Sequence, residues 1–182
     1  MRMKYFRKII GENIYLSPIN MDDLELYTKW MNDAEVVSHL GNYHRMFSLS
    51  NEKTALEGMT KEGQNYAIVL NDGDVLIGGI SFNEVNHVYR TATVGIFIGE
   101  AENRGRGFGT EAMHLLVEYG FKTLNLHNIM LTVHSDNTRA IASYKKAGFT
   151  EFGRRHEARF MDGHYLDTIY MEVIFTNYMG NH

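Results

Sequence analysis

The 182-residue chain has no cysteine. That excludes disulfides, thiolate metal sites and a cysteine acyl-enzyme, and it makes a reducing compartment the natural setting. Proline occurs once against seventeen glycines, so Gly, Asn and Asp must supply most of the turns and helix ends. Long apolar runs are also missing, and Met1 to Ile10 alternates basic and apolar residues without the apolar centre of a signal peptide. A cytoplasmic protein with no membrane partner is the expectation. Neither sign of charge dominates, with 18 Lys and Arg against 22 Asp and Glu and a formal net charge of -4. A nucleic-acid binder would need a basic excess, so no nucleic-acid partner is expected, while a cationic amine suits a weakly acidic surface. The nine histidines fall into no H-x-x-x-H or other ligand spacing, so no metal is expected.

What is present is ordinary for a globular fold: 44% hydrophobic and 22% charged residues, with eleven methionines read as core filling. There is no repeat, low-complexity tract or linker, which gives one domain over residues 1–182. Residues 13–16 read as a short strand ended by Ser17-Pro18. Asn20 caps a helix from Met21 with Leu24, Tyr27, Trp30 and Met31 on one face. A second helix follows Ser50, with Leu56 and Met59 inward. Residues 66–70 and 75–82 read as strands around the turn Asn71-Asp72-Gly73-Asp74, and 90–99 as a central strand. A helix over 110–122 buries Ala112, Leu116 and Tyr119. A strand over 129–133 and a helix over 137–147, stopped by Gly148, follow. Two strands, 149–159 and 164–175, turn at Asp162-Gly163. The class is α/β with a mixed sheet.

Glu102-Asn-Arg-Gly-Arg-Gly-Phe-Gly-Thr110 carries the most chemistry. It follows a strand and opens a helix. Gly105, Gly107 and Gly109 allow close backbone approach, and the first-turn N–H groups of the helix point at the same spot. Arg104 and Arg106 add bidentate reach to phosphate oxygens. Pyrophosphate binding is the chemistry implied, with a plain glycine-rich turn as the alternative. The spacing G-x-G-x-G is not the dinucleotide G-x-G-x-x-G, and no G-K-[ST] of a P-loop follows.

Here the chain resembles the GNAT acetyltransferases. Arg104-Gly-Arg-Gly107-Phe-Gly109 matches their [RQ]-x-x-G-x-[GA] signature, and Asn137-Thr-Arg-Ala-Ile-Ala-Ser-Tyr144-Lys-Lys-Ala-Gly148-Phe149 looks like their N-x-x-[AS]-x-x-x-Y-x-K-x-G-F segment. The terminal stretch, Arg159 to Asp167, is similar to the branch holding ribosomal-protein N-terminal acetyltransferases and spermidine acetyltransferases. The resemblance implies a mostly antiparallel sheet of about seven strands with four helices, splayed between strands four and five.

It also implies a site. Backbone amides from Gly105 through Arg106, Gly107, Phe108 and Gly109 to Thr110 would hold the pyrophosphate of acetyl-CoA, the cosubstrate, with Arg104 assisting. The pantetheine arm would pair with the backbone of Phe97, Ile98 and Gly99 as an added strand. A backbone N–H there would stabilise the oxyanion. Asn137 either caps its helix, contacts the cofactor, or does both. Tyr144 is either a packed tyrosine or the general acid that protonates the CoA thiolate. The base is open. Thr93 stands where the branch often carries a glutamate that also helps bind polyamine, which leaves Glu100, His134 or a water chain. Glu157 and Asp167 either line the acceptor site or brace the hairpin. Direct transfer to a primary amine follows. A peptide N-terminal amine leads as acceptor; a polyamine or aminoglycoside is the alternative, with a non-catalytic acyl-CoA-binding module as the rival from another class. A monomer or homodimer is expected.

Overall fold

Alternating apolar residues build the strands, and a computed structural model describes residues 3–180 of the chain; Met1 and Arg2, at the head of the N-terminal stretch read above, lie outside the described residues. Eight strands are hydrogen-bonded in the order β1-β2-β3-β4-β5-β6-β8-β7. They are β1 (Ile9–Ile10), β2 (Ile14–Pro18), β3 (Asn65–Leu70), β4 (Leu76–Asn86), β5 (Thr91–Ile98), β6 (Asn128–His134), β7 (Thr150–Met161) and β8 (His164–Ile174). The helices are α1 (Leu24–Met31), α2 (Ala34–Val37), α3 (Leu49–Glu62), α4 (Phe108–Lys122), α5 (Thr138–Lys146) and α6 (Phe175–Gly180). The chain divides into two compact units, Met1–Ser81 with Ile96–Ala112, and Phe82–Gly95 with Met113–His182.

In the first unit β1, β2, β3 and the start of β4 pair antiparallel in succession. Asn20 caps a single 3-10 turn, Met21–Asp23, before α1 proper begins. The α1 face buries Tyr27, Trp30 and Met31 in a core shared with Tyr15, Val69 and Leu76. Ser48, rather than Ser50, caps α3 by accepting the Asn51 N–H. Leu56 is buried as expected, but Met59 is 39% exposed; the buried side chains of α3 are Glu52 and Leu56, and Met59 stands beyond them near the helix end.

In the second unit β5 runs parallel to β6, paired over Thr91–Thr93 with Asn128–Met130. That ladder stops while both strands run on. β6 pairs antiparallel with β8, and β8 with β7. Ala112, which closes the first unit, and Leu116 of α4 are fully buried, whereas Tyr119 is only half-buried. Gly148 ends α5 with φ +91°, and Asp162-Gly163 turns the last hairpin with both φ positive, as a two-residue hairpin of this hand requires. β1, α2 and α6 are additions to the expected elements. Among the described residues no helix is long and apolar enough to cross a membrane.

Candidate active site

The glycine loop lies in the first unit. Gly105 and Gly107 have φ of +75° and +90°, a region that costs an L-residue roughly 1–2 kcal/mol. A Cβ added at either would meet nothing within 4 Å. Conformation, not crowding, therefore demands glycine, and the space beside the loop is open. The loop runs into α4, whose first-turn N–H groups lack intrahelical acceptors by construction. The Glu111 carboxylate fixes this helix start to the head of β2, accepting from the backbone N–H of Asn13 (2.9 Å) and from its side-chain amide (3.0 Å). Arg106 is exposed, with its guanidinium 4.8 Å above the Phe108 ring centroid.

The end of β5 is held from several sides. The Gly99 N–H donates to Ile77 O at 2.9 Å, so it faces β4 and is not the donor expected for an oxyanion. A Cβ on Gly78 would come within 2.2 Å of Phe97 O, which places that carbonyl against β4 as well. Backbone groups of successive strand residues alternate between edges, so the N–H of Ile98 faces away from β4. Of the three residues Phe97, Ile98 and Gly99, Ile98 alone offers its N–H on that side. Gly99 is glycine for a different reason: its Cβ would lie 2.0 Å from the Trp30 indole. Trp30 and Tyr27 in turn pack edge-on to the Phe97 ring, which makes that side chain core.

Two charged residues of this region have partners that local spacing could not reveal. Arg104 donates from Nε to Ile98 O (3.2 Å), from Nη2 to Gly99 O (2.5 Å) and from Nη1 to Glu35 (3.3 Å). Glu100 accepts from Lys29 Nζ (2.7 Å) and Trp30 Nε1 (3.0 Å). These hydrogen bonds, that of Lys29 first, hold its carboxyl below the usual carboxylate range, which works against service as a proton acceptor.

The other predicted residues lie in the second unit. Asn137 caps α5 by accepting the Ala140 N–H at 3.2 Å, leaving its amide NH₂ for other work. Tyr144, half-buried, packs 6.2 Å from Phe149 between ring centroids. Burial pushes its phenol up to about 12, so it carries its proton throughout the physiological range. His134 Nε2 meets the Arg159 guanidinium. An arginine N–H is always a donor, so Nε2 is the acceptor and its lone pair is engaged. Thr93 Oγ1 donates to Asn83 O at 3.3 Å. Asp167 braces the hairpin: Oδ1 accepts the Glu157 N–H (3.0 Å), and Oδ2 meets Arg154 (3.3 Å) and His156 (3.2 Å). It sits where the β7–β8 register shifts between Arg155 and Arg159. Among the described residues no three His, Asp or Glu side chains gather into a metal-holding group.

Known proteins resemble this chain in sequence and in fold. Residues 13–150 match the family described as acetyltransferase (GNAT) domain. The chain is 30% identical over 174 residues to Spermidine N(1)-acetyltransferase of Escherichia coli, a match covering 94% of this chain and 91% of that protein. It is 35% identical over 105 residues to the Vibrio cholerae protein of the same name, covering 58% of this chain and 60% of that one. A solved spermidine N-acetyltransferase from Vibrio cholerae, in complex with CoA and spermine, matches with a TM-score of 0.80 at 26% identity, over 93% of this chain and 99% of that one. A GNAT-family acetyltransferase from Bacillus anthracis shares the fold with a TM-score of 0.80 at 20% identity, over 91% and 97% of the two chains.

Proposed function

The chain belongs to the GNAT acetyltransferase family, and from that premise we propose that it moves the acetyl group of acetyl-CoA directly onto a primary amine of a polyamine. Acetyl-CoA-dependent N-acetyl transfer goes with the family. The open positive-φ loop at the start of α4 is the single observation that carries the cofactor assignment, because a glycine loop with free space beside it, opening a helix, suits a pyrophosphate. We take residues 1–182 as one domain, since the family match runs through both compact units.

On this reading each residue keeps the role that the family resemblance implies for it. Gly105 to Thr110 hold the phosphates, and Arg106 adds charge. Pantetheine runs along the edge of β5 at Ile98, whose N–H donates to the carbonyl oxygen as negative charge builds on it. Asn137 contributes its amide NH₂ while capping α5. Tyr144 donates a hydrogen bond to the departing thiolate. With its phenol near 12 and a thiol near 8.5, full proton transfer is uphill by roughly 5 kcal/mol in isolation, so Tyr144 helps the thiolate leave by holding this hydrogen bond to it. Glu100 and His134 are both engaged elsewhere. The acceptor therefore loses its proton to solvent water, the third of the routes open in the sequence.

For the acceptor, support lies with the polyamine alternative rather than the peptide amine that led the sequence reading, because the likeness to spermidine acetyltransferases extends over nearly the whole chain. One observation favours the peptide as a second reading: Thr93 offers a hydroxyl, already bonded to Asn83, where a polyamine-binding carboxylate is expected. Release of CoA thiol with spermidine, spermine, an N-terminal peptide and an aminoglycoside separates them. Polyamine turnover at least tenfold above the others supports the proposal, and turnover with the peptide alone overturns it.

A further inference from the structure

We propose that Arg104 is a positioning residue for the acetyl carbonyl and not a phosphate ligand, which rests on the reading of the chain as an acetyl-CoA enzyme. Its sequence position, directly before Gly105, points toward the phosphates; its side chain goes elsewhere. The side chain is 13% exposed and three of its nitrogens have named partners, Ile98 O, Gly99 O and Glu35. A guanidinium is a rigid planar fork, so gripping two successive carbonyls fixes the angle between two successive peptide planes. The peptide joining Ile98 to Gly99 is thereby pinned at both ends, with its carbonyl on Arg104 Nε and its N–H on Ile77 O. The next peptide is pinned through Gly99 O. The Phe97 carbonyl, on the other side of Ile98, lies against Gly78. The one N–H between these fixed groups is that of Ile98, and its direction is set by them.

Electrostatics agree. The Glu35 carboxylate rests on the outer nitrogen of Arg104, and a carboxylate there would repel a phosphate brought to the same guanidinium. Arg106 stands differently: exposed, its cation lies over the Phe108 ring, at the first residue of α4. It is the arginine placed to meet the phosphates.

The test compares Arg104→Gln, Arg104→Lys and Arg106→Gln with the wild type. Calorimetry gives Kd for pantetheine and for CoA, and the ratio of the first to the second isolates the phosphate contribution without any acceptor. Turnover is then measured with acetyl-CoA and with its dithioester analogue, in which sulfur replaces the carbonyl oxygen and weakens the hydrogen bond from Ile98. Arg104→Gln should leave the Kd ratio within about threefold of wild type, lower kcat by about tenfold, and reduce the oxygen-over-sulfur rate preference, because a misaimed donor has less to lose. Arg104→Lys, which keeps one donor to the carbonyls, should recover part of kcat, and Arg106→Gln should lower the Kd ratio instead. A Kd ratio reduced tenfold by Arg104→Gln, or a fall in kcat with an unchanged oxygen-over-sulfur preference, overturns the proposal. Circular dichroism checks each fold. If Arg104→Gln does not fold, Arg104→Lys and Glu35→Gln are judged by the same two criteria. A wild type that binds CoA yet acetylates no amine would defeat the functional reading, while the Kd ratio would still decide whether Arg104 touches phosphate.

Discussion

The glycine loop before α4 and the terminal hairpin both hold residues in left-handed backbone conformations beside arginines, and they use them in opposite ways. In the loop, Gly105 and Gly107 adopt φ of +75° and +90° with nothing within 4 Å of where a side chain would begin. In the hairpin, Glu157 adopts φ of +49°, and its N–H is met by Asp167, whose other oxygen takes Arg154 and His156. Strain in the hairpin is answered by internal contacts. In the loop the positive φ falls on glycines, which adopt it without strain, and the space beside them is left open for a ligand. An arginine beside a glycine loop is thus weak evidence of phosphate binding until its partners are known.

The largest effect should come from Gly107→Asp, which puts both a strained φ and a negative charge where we propose that the phosphates bind. CoA affinity should fall by at least about 100-fold, on the order of 3 kcal/mol, while pantetheine affinity changes little and the thermal midpoint drops by only the few degrees that a strained φ costs. Calorimetry with the two ligands checks this, and equal losses for both would remove the pyrophosphate from the loop.

Next is Tyr144→Phe, which keeps the ring against Phe149 and removes the acidic proton. We expect kcat to fall by roughly 10²-fold and Kd for acetyl-CoA to shift by no more than one hydrogen bond, about 1 kcal/mol. A donor with a more acidic thiol should recover part of the rate. Normal kcat would make Tyr144 a packing residue only.

Smaller still is the expected response of the pH profile. A protonated amine is inert, so kcat/KM should climb with pH toward the amine pKa, near 10 for an alkylamine. Because the Lys29 and Trp30 hydrogen bonds already depress Glu100, and Arg159 engages His134, Glu100→Gln and His134→Ala should leave that climb in place. Loss of the basic limb in either variant would identify the base.

The smallest effect belongs to the hairpin. The Glu157 N–H first, with Arg154 and His156, holds Asp167 below its ordinary value of 3.8. A carboxylate lowered on folding contributes stability above its unfolded pKa and loses it as pH falls through the lower folded value. The protection of the Glu157 amide relative to its intrinsic exchange rate should therefore be high at pH 5 and fall, with exchange accelerating against that intrinsic rate, below pH about 4. Asp167→Asn should abolish that acceleration while sparing CoA binding, and reduced CoA affinity would move Asp167 into the site.

Much of this was legible in local chemistry. Asn20 and Asn137 announce helix starts, Asp162-Gly163 a tight hairpin, and the run from Val94 to Ile98 a central strand, because caps, turns and periodicity act within a few residues. Gly105 and Gly107 were equally readable as loop glycines. Long-range partners were not. Arg104 meets Glu35 and Glu100 meets Trp30 across 69 and 70 positions of chain, and no local rule connects such residues. Gly99 illustrates the same gap: the resemblance marks only its backbone, and it is the distant Trp30 that requires glycine there. Two-residue β1 and the terminal α6 carry too little periodicity to be seen.

The most direct test of the account is a competition. Equal concentrations of spermidine and of a peptide with a free N-terminal amine are incubated with acetyl-CoA and the protein, and both products are quantified by mass spectrometry against the CoA released. We predict one acetyl on spermidine for each CoA thiol released, with acetyl-peptide at least tenfold lower. Acetylation chiefly of the peptide, or CoA release with neither amine acetylated, would contradict transfer to a polyamine.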